Sequence, residues 1–190
     1  MKVMQYVMAY SADHDKIRAI IPNGFSSIRP VLRINAQITD DKSAYVEFNT
    51  AAEKDGKRGW LNIDFWEDVS FKNDGKKVVF ETDFLKISFK KTGIEGSCPA
   101  QKDNDGCYFI KGEEKFCPAE IIKANKEFCD CEFEWRFSKG DAKGKSIGKT
   151  LPAYFEEEKN AYPKQEFSAK NAAAIEARQV LGSYCVEFEK

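Results

Sequence analysis

Hydrophobic and polar positions alternate along most of the first ninety residues. Leu32, Ile34, Ala36 and Ile38 fall on one side of an extended stretch, and Arg33, Asn35 and Gln37 fall on the other. This is the period-2 pattern of a strand with a single apolar face. Ala44 to Thr50 alternates in the same way and groups Tyr45, Glu47 and Asn49. Val3 to Tyr10 is apolar and aromatic with an ambiguous register, and Trp60 to Trp66 forms a further strand. Asn73-Asp74-Gly75-Lys76-Lys77 running into Val78-Val79-Phe80 is a hairpin signal, and Leu85, Ile87 and Phe89 share one side of the strand after it. Six strand candidates in so short a span predict a mainly antiparallel sheet that curls or closes into a barrel.

Helices punctuate this pattern. From Tyr10 to Pro22 the spacing predicts a short helix, with Ser11 as its cap, Asp13 and Asp15 in the first turn where the dipole favours acids, and Pro22 as its stop. Ala51 to Arg58 reads as a charged loop with an Asp55-Gly56 turn. Between Thr92 and Cys131 the pattern is less regular. Cys107 to Ile110 fits a short strand, and Cys117-Pro118 a helix start with Pro118 at the first helical position. Cys131, Phe133, Trp135 and Phe137 then share a core-facing side. Lys139 to Thr150 is rich in lysine and glycine and reads as a solvated loop. Ser168 caps an alanine-rich helix running to Leu181, Gly182 stops it, and Tyr184 to Phe188 is the last strand. No repeat or linker divides residues 1–190, so the expectation is a single α+β domain with helices at the rim of the sheet.

Bulk composition narrows the function classes. Thirty basic against thirty-one acidic residues leave a net charge of -1, too little to steer nucleic acid or an anionic membrane. No stretch approaches the length of a membrane span and no secretory leader opens the chain, which predicts a cytoplasmic protein whose six cysteines are free thiols. No Cys-x2-Cys pair is present. A metal or redox centre built from Cys98, Cys107, Cys117, Cys129 and Cys131 therefore stands as an alternative, and no cofactor is expected. Cys117 before Pro118 has the sequence context of a thiolate at a helix N-terminus, set against the commoner buried, inert cysteine. His14 is the only histidine and sits on the early helix, which speaks against Ser-His or Cys-His catalysis. Gly144-Lys145-Ser146 and Gly148-Lys149-Thr150 end like phosphate-binding loops, but the glycine needed five positions earlier is Lys139 or Lys143.

One stretch carries a family resemblance. Tyr10-x2-Asp13-x-Asp15-x-Ile17-Arg18-x-Ile20-Ile21-Pro22, followed by Pro30-Val31-Leu32-Arg33-Ile34, resembles the N-terminal part of acetoacetate decarboxylase, and the likeness continues into Tyr45-Val46-Glu47 and Gly59-Trp60-Leu61. It covers the first third of the chain. The resemblance implies a curled antiparallel sheet or barrel with a pocket, and decarboxylation of a β-keto acid through a lysine imine. In that family an adjacent cation and an apolar pocket keep the amine neutral. The family's Glu-Leu-x-x-Tyr-Pro-Lys-Lys-like motif has no counterpart after Trp66. Lys76-Lys77 lies in a turn, and the only Tyr-Pro-Lys is the late Tyr162-Pro163-Lys164. Lys164 reads first as a surface turn and second as a relocated imine lysine.

Glu47 matches the family's pocket glutamate in order and strand context, which gives it a catalytic assignment beside Lys164. If the polar sides of the early strands line a cavity, Arg33, Asn35, Gln37, Tyr45 and Asp64 join it as ligand-binding residues. An arginine with a carboxylate and amides would bind a small organic acid or ketone. The competing expectation is a solvated open face. A ligand-binding protein of acetoacetate decarboxylase type without the imine lysine is thus the first reading, an active Schiff-base lyase the second, and a homo-oligomer is left open.

Overall fold

In the computed structural model, residues 1–96, 106–119, 124–147 and 160–190 are described. They form one large, mostly antiparallel sheet with few helices. The strands are β1 (Lys2–Ser11), β2 (Ser26–Thr39), β3 (Ala44–Lys54), β4 (Lys57–Trp66), β5 (Phe71–Asn73), β6 (Lys77–Glu81), β7 (Leu85–Gly96), β8 (Gly106–Phe109), β9 (Lys115–Cys117), β10 (Lys126–Trp135), β11 (Lys143–Ile147) and β12 (Gln179–Glu189). Helix α1 (His14–Ile20) connects β1 to β2, and α2 (Ala169–Ala173) precedes β12. No helix among the described residues is long and apolar enough to cross a membrane.

The strand order is β5-β6-β7-β10-β12-β1-β2-β3-β4-β8-β9, with β11 added beside β10. It has two ends, so the barrel alternative is replaced by an open sheet. The curl is produced by side chains instead of by edge-to-edge pairing. Tyr6 on β1 meets Phe80 of β6 and Phe89 of β7, with ring centroids 5.7 Å and 5.3 Å apart. Phe48 on β3 lies 4.3 Å from Trp135 of β10, and Tyr10 stacks on Phe133 at 4.8 Å. The apolar sides of the two halves of the sheet therefore face each other and form the main core, with Ile17 and Ile20 of α1 among its members. The polar sides of β1 to β4 point the other way.

Several boundaries differ from the sequence expectation, each because a tertiary pairing outweighs a local signal. β1 continues through Ser11, whose backbone pairs with Gln179, so the helix cap passes to Asp13 and its carboxylate accepts from the N–H groups of Asp15 and Lys16. The charged loop at 51–58 shrinks to Asp55-Gly56, both with positive φ (51° and 75°), which is what a two-residue hairpin turn requires. The alanine-rich helix stops at Ala173, because Gln179 to Leu181 joins the edge of β1 instead. The lysine- and glycine-rich loop contains β11, which pairs with β10. Gly144 hides this strand in the sequence. A Cβ there would come within 2.9 Å of Val180 and 3.0 Å of Phe133. Cys117 ends a strand and not a helix entry, while 120–123, where that helix would have continued, lie outside the described residues.

The β8–β9 hairpin is held on β4 by a parallel pairing in which Gly59 faces Gly106. A Cβ on Gly59 would sit 2.4 Å from the Gly106 carbonyl oxygen, so only glycine allows this approach. Tyr108 Oη donates toward the Lys54 and Lys57 carbonyls at 3.2 Å and 2.9 Å. This brings Cys107 beside the polar face of β3 and β4.

Candidate functional site

Residues directly opposite one another in an antiparallel sheet share a face, so the register builds the site row by row. Gln5, Gln37 and Tyr45 form one row and Val7, Asn35 and Glu47 the next. Ala9, Arg33, Asn49 and Asn62 form a third, and Ala51, Trp60, Cys107 and Cys117 a fourth. Arg33, Asn35, Gln37, Asn49 and Asn62 are buried, and Glu47 is only 9% exposed. This face is not washed by solvent, although the register places it opposite the main core.

The buried groups hydrogen-bond in a chain. Gln5 Nε2 donates to Asn35 Oδ1 at 3.0 Å, and Asn35 Nδ2 donates to Glu47 Oε2 at 3.1 Å. Asn49 is oriented with its oxygen toward Arg33, whose Nη2 donates to it at 2.9 Å. The opposite orientation would give a longer 3.3 Å contact to Glu47 while pressing an amide N–H against a guanidinium, so the cationic donor decides. The Arg33 guanidinium also lies 3.9 Å from the centre of the Trp60 ring, and that of Arg29 lies 5.0 Å from it. Val31, Ala51 and Trp60 form a small apolar cluster beneath them, with Cys107 packed against it.

Cys107 reports on the electrostatics of this corner. Burial is the main cause pushing its thiol up to about 12, with the Glu47 carboxylate adding to the shift and the Arg33 guanidinium opposing it. The thiol form thus persists through neutral pH. Iodoacetamide should alkylate Cys107 far more slowly in the folded protein than in the denatured chain, and the rate should climb about tenfold per pH unit as the thiolate fraction rises. Peptide mass mapping over a pH series checks this, and fast labelling near pH 7 would mean that the corner is open and hydrated.

The remaining sequence candidates are placed differently. Tyr45 is half-buried and sits opposite Gln37 on the Glu47 side. Asp64 is separated from the Glu47 row by a register shift that pairs it with Phe48. Its carboxylate takes the Phe65 N–H at 2.9 Å and forms an ion pair with Lys111. Lys164 lies in another pocket altogether, about 370 Å³ in volume, with Arg18, Pro22, Phe25 and Ser27, where its ammonium donates to the Ile21 carbonyl. The chain around it runs along α1, with Asn160 N–H on Asp15 and Gln165 N–H on the Ala19 carbonyl, both at 2.9 Å.

Sequence reading passed over several members. Gln5 was hidden by the ambiguous register of its strand, whereas Asn62 and Trp60 share a period-2 side with Asp64 and could have been named with it. The bulge between β3 and β4 leaves them, and not Asp64, opposite Asn49 and Ala51. Lys126 is buried at the start of β10, in register with Val186, which in turn faces Gln5, so it belongs to the same side of the sheet. Its ammonium sits 4.7 Å from the centre of the Tyr184 ring. The strand was expected to begin only at Cys131, so nothing local marked that lysine. Cys107, Cys117, Cys129, Cys131 and Cys185 are free thiols, Cys98 lies outside the described residues, and among the described residues no three metal-ligating side chains converge.

No family model matches this sequence, and no curated protein does. Solved structures do match the fold. A crystal structure of acetoacetate decarboxylase from Legionella pneumophila superposes with a TM-score of 0.62 at 9% identity, over 98% of this chain and 81% of that one. The enduracididine biosynthesis enzyme MppR, in a complex with pyruvate, gives a TM-score of 0.56 at 9% identity over 98% and 84%. An acetoacetate decarboxylase-like enzyme from Sphingomonas wittichii gives 0.52 at 9% over 98% and 89%. The chain has an acetoacetate decarboxylase-like fold.

Proposed function

We propose that this acetoacetate decarboxylase-like chain binds a small organic acid or carbonyl compound against the polar face of β1 to β4. In this reading Arg33 serves as the anion partner, with Glu47, Asn35 and Asn49 as orienting groups, and there is no imine lysine. The observation that carries the reading is the burial of Arg33, Asn35, Gln37, Glu47, Asn49 and Asn62 in contiguous rows of one sheet face. Burying polar groups costs free energy that apolar side chains at the same positions would not, so a face built for packing alone would not carry them. A guanidinium held 3.9 Å from the centre of an indole ring is already fixed in position, so little ordering is left to do when an anion binds beside it. The pyruvate complex of MppR supports a 2-oxo acid as the first probe.

A second reading, a Schiff-base lyase acting on a β-keto acid, draws on Lys126. This lysine is buried on the same side as Gln5, whereas Lys164 is engaged with Ile21 elsewhere. The lysine-pair motif of the resembled family has no counterpart after Trp66, which is why binding without an imine is preferred. Calorimetric titration with pyruvate and with acetoacetate, each repeated with borohydride, separates the two. Reversible binding without a covalent mass increase is expected. A borohydride-trapped adduct mapping to Lys126 or Lys164 would overturn binding without an imine, and release of carbon dioxide from acetoacetate would then establish the lyase. The absence of any heat or thermal shift with either acid at millimolar concentration would overturn both.

A further inference from the structure

Trp60 is 5% exposed, yet its indole Nε1–H has no hydrogen-bond partner among the described residues. Folded proteins rarely keep a buried donor unsatisfied, because it has given up water and received nothing in return. The same chain shows the usual arrangement elsewhere: the Trp135 Nε1 donates to the Tyr10 hydroxyl at 3.2 Å. The Trp60 ring is held in place, not loose. It lies between Ala51 on β3 and Cys107 on β8, packs with Val31, and carries the Arg33 guanidinium 3.9 Å from its centre. Two positions along β4, Asn62 belongs to the buried polar rows, and Cys107 feels the charges of both Glu47 and Arg33. A fixed, dry N–H donor thus stands beside a guanidinium and at the edge of the amide layer.

We infer that Trp60 is a ligand-binding residue whose indole N–H donates to a carboxylate oxygen of the bound acid, with Arg33 stacked on the same ring as the charge partner. This rests on the binding reading above and names the group that recognises the anion. An anionic oxygen is the acceptor that suits the place, because a hydrogen bond to a charged acceptor in a dry site is stronger than one to a neutral carbonyl. The acid is a short one, since it must reach an indole edge in a layer already filled by amides.

The test is Trp60→Phe, which keeps an aromatic ring under Arg33 and removes the donor together with the fused five-membered ring that carries it. The dissociation constant for pyruvate should rise about tenfold or more. The melting temperature of the unliganded protein should change little, because the packing lost with the smaller ring is offset by removal of an unsatisfied buried N–H. Methyl pyruvate, which lacks the anionic oxygen, should bind weakly to both proteins and show no further loss in the variant. A melting temperature lowered by several degrees with pyruvate affinity unchanged would overturn the inference and make Trp60 a packing residue. An independent reading uses the wild type: of the three indole N–H signals expected from its three tryptophans, the one missing from the variant's spectrum should move downfield as pyruvate is added. A stationary signal at saturating pyruvate would also overturn it. Failure of the wild type to bind pyruvate at all would remove both the inference and the binding reading, and that outcome is seen before any variant is made.

Discussion

Trp135→Ala should cost about 3–5 kcal/mol of unfolding free energy, the range for deleting a large aromatic from a packed core. Trp135 is 2% exposed and touches three other rings, with centroids 4.3 Å from Phe48, 5.8 Å from Phe137 and 6.1 Å from Trp66. It also donates to the Tyr10 hydroxyl. These contacts join β10 to β3, β4 and β1, so the residue holds the two halves of an open sheet together where no edge pairing does. Because a domain's net stability is about 5–15 kcal/mol, the loss would bring the protein close to unfolding at moderate temperature. Urea titration reads it as a lower midpoint. Trp135→Phe should lose less, about 1–3 kcal/mol, because it keeps a ring but leaves the Tyr10 hydroxyl without its donor. If the alanine variant unfolded at the wild-type midpoint, the aromatic faces would not be in contact and the curl described above would be wrong.

The largest effect on ligand affinity is expected at Arg33. Arg33→Met should weaken pyruvate binding by about 2–5 kcal/mol, the usual loss when the charged partner of a buried anion is truncated. Arg33→Lys should recover little of it, because an ammonium cannot present two parallel N–H groups or lie flat on Trp60. Melting temperatures measured beside the titrations separate loss of the anion partner from loss of the fold. Unchanged affinity in both variants would show that the acid is held elsewhere. The pocket with Arg18 and Lys164 would then be the next place to look.

The early strands were readable because their signal is local. Leu32 to Ile38 and Ala44 to Thr50 each place one apolar and one polar side in register with the pleat, and a sheet needs no distant information to use that. Arg33, Asn35, Gln37 and Glu47 could be grouped for the same reason. Their burial could not be foreseen, since alternation is equally the mark of a sheet with a wet side. Where the signal depended on propensity alone, tertiary pairing won. Alanines after Ser168 favour helix, but the open edge of β1 offered Gln179 to Leu181 a ladder of backbone hydrogen bonds. Lys143 to Ile147 has no apolar period, yet β10 had a free side, and Gly144 fits beneath Val180 and Phe133.

By itself the sequence determined an antiparallel sheet with an early helix, a polar row centred on Glu47, and the absence of a lysine pair where the resembled family has one. Each of these follows from side-chain type and period along a single stretch. Only the tertiary structure decided that the sheet stays open, that its aromatic side is the shared interior, that Lys164 is engaged at the end of α1 while Lys126 is buried, and that Trp60 meets Arg33 and Cys107. Those facts depend on which strands become neighbours. That is set by the summed packing of residues far apart in the chain, a quantity that no local pattern contains.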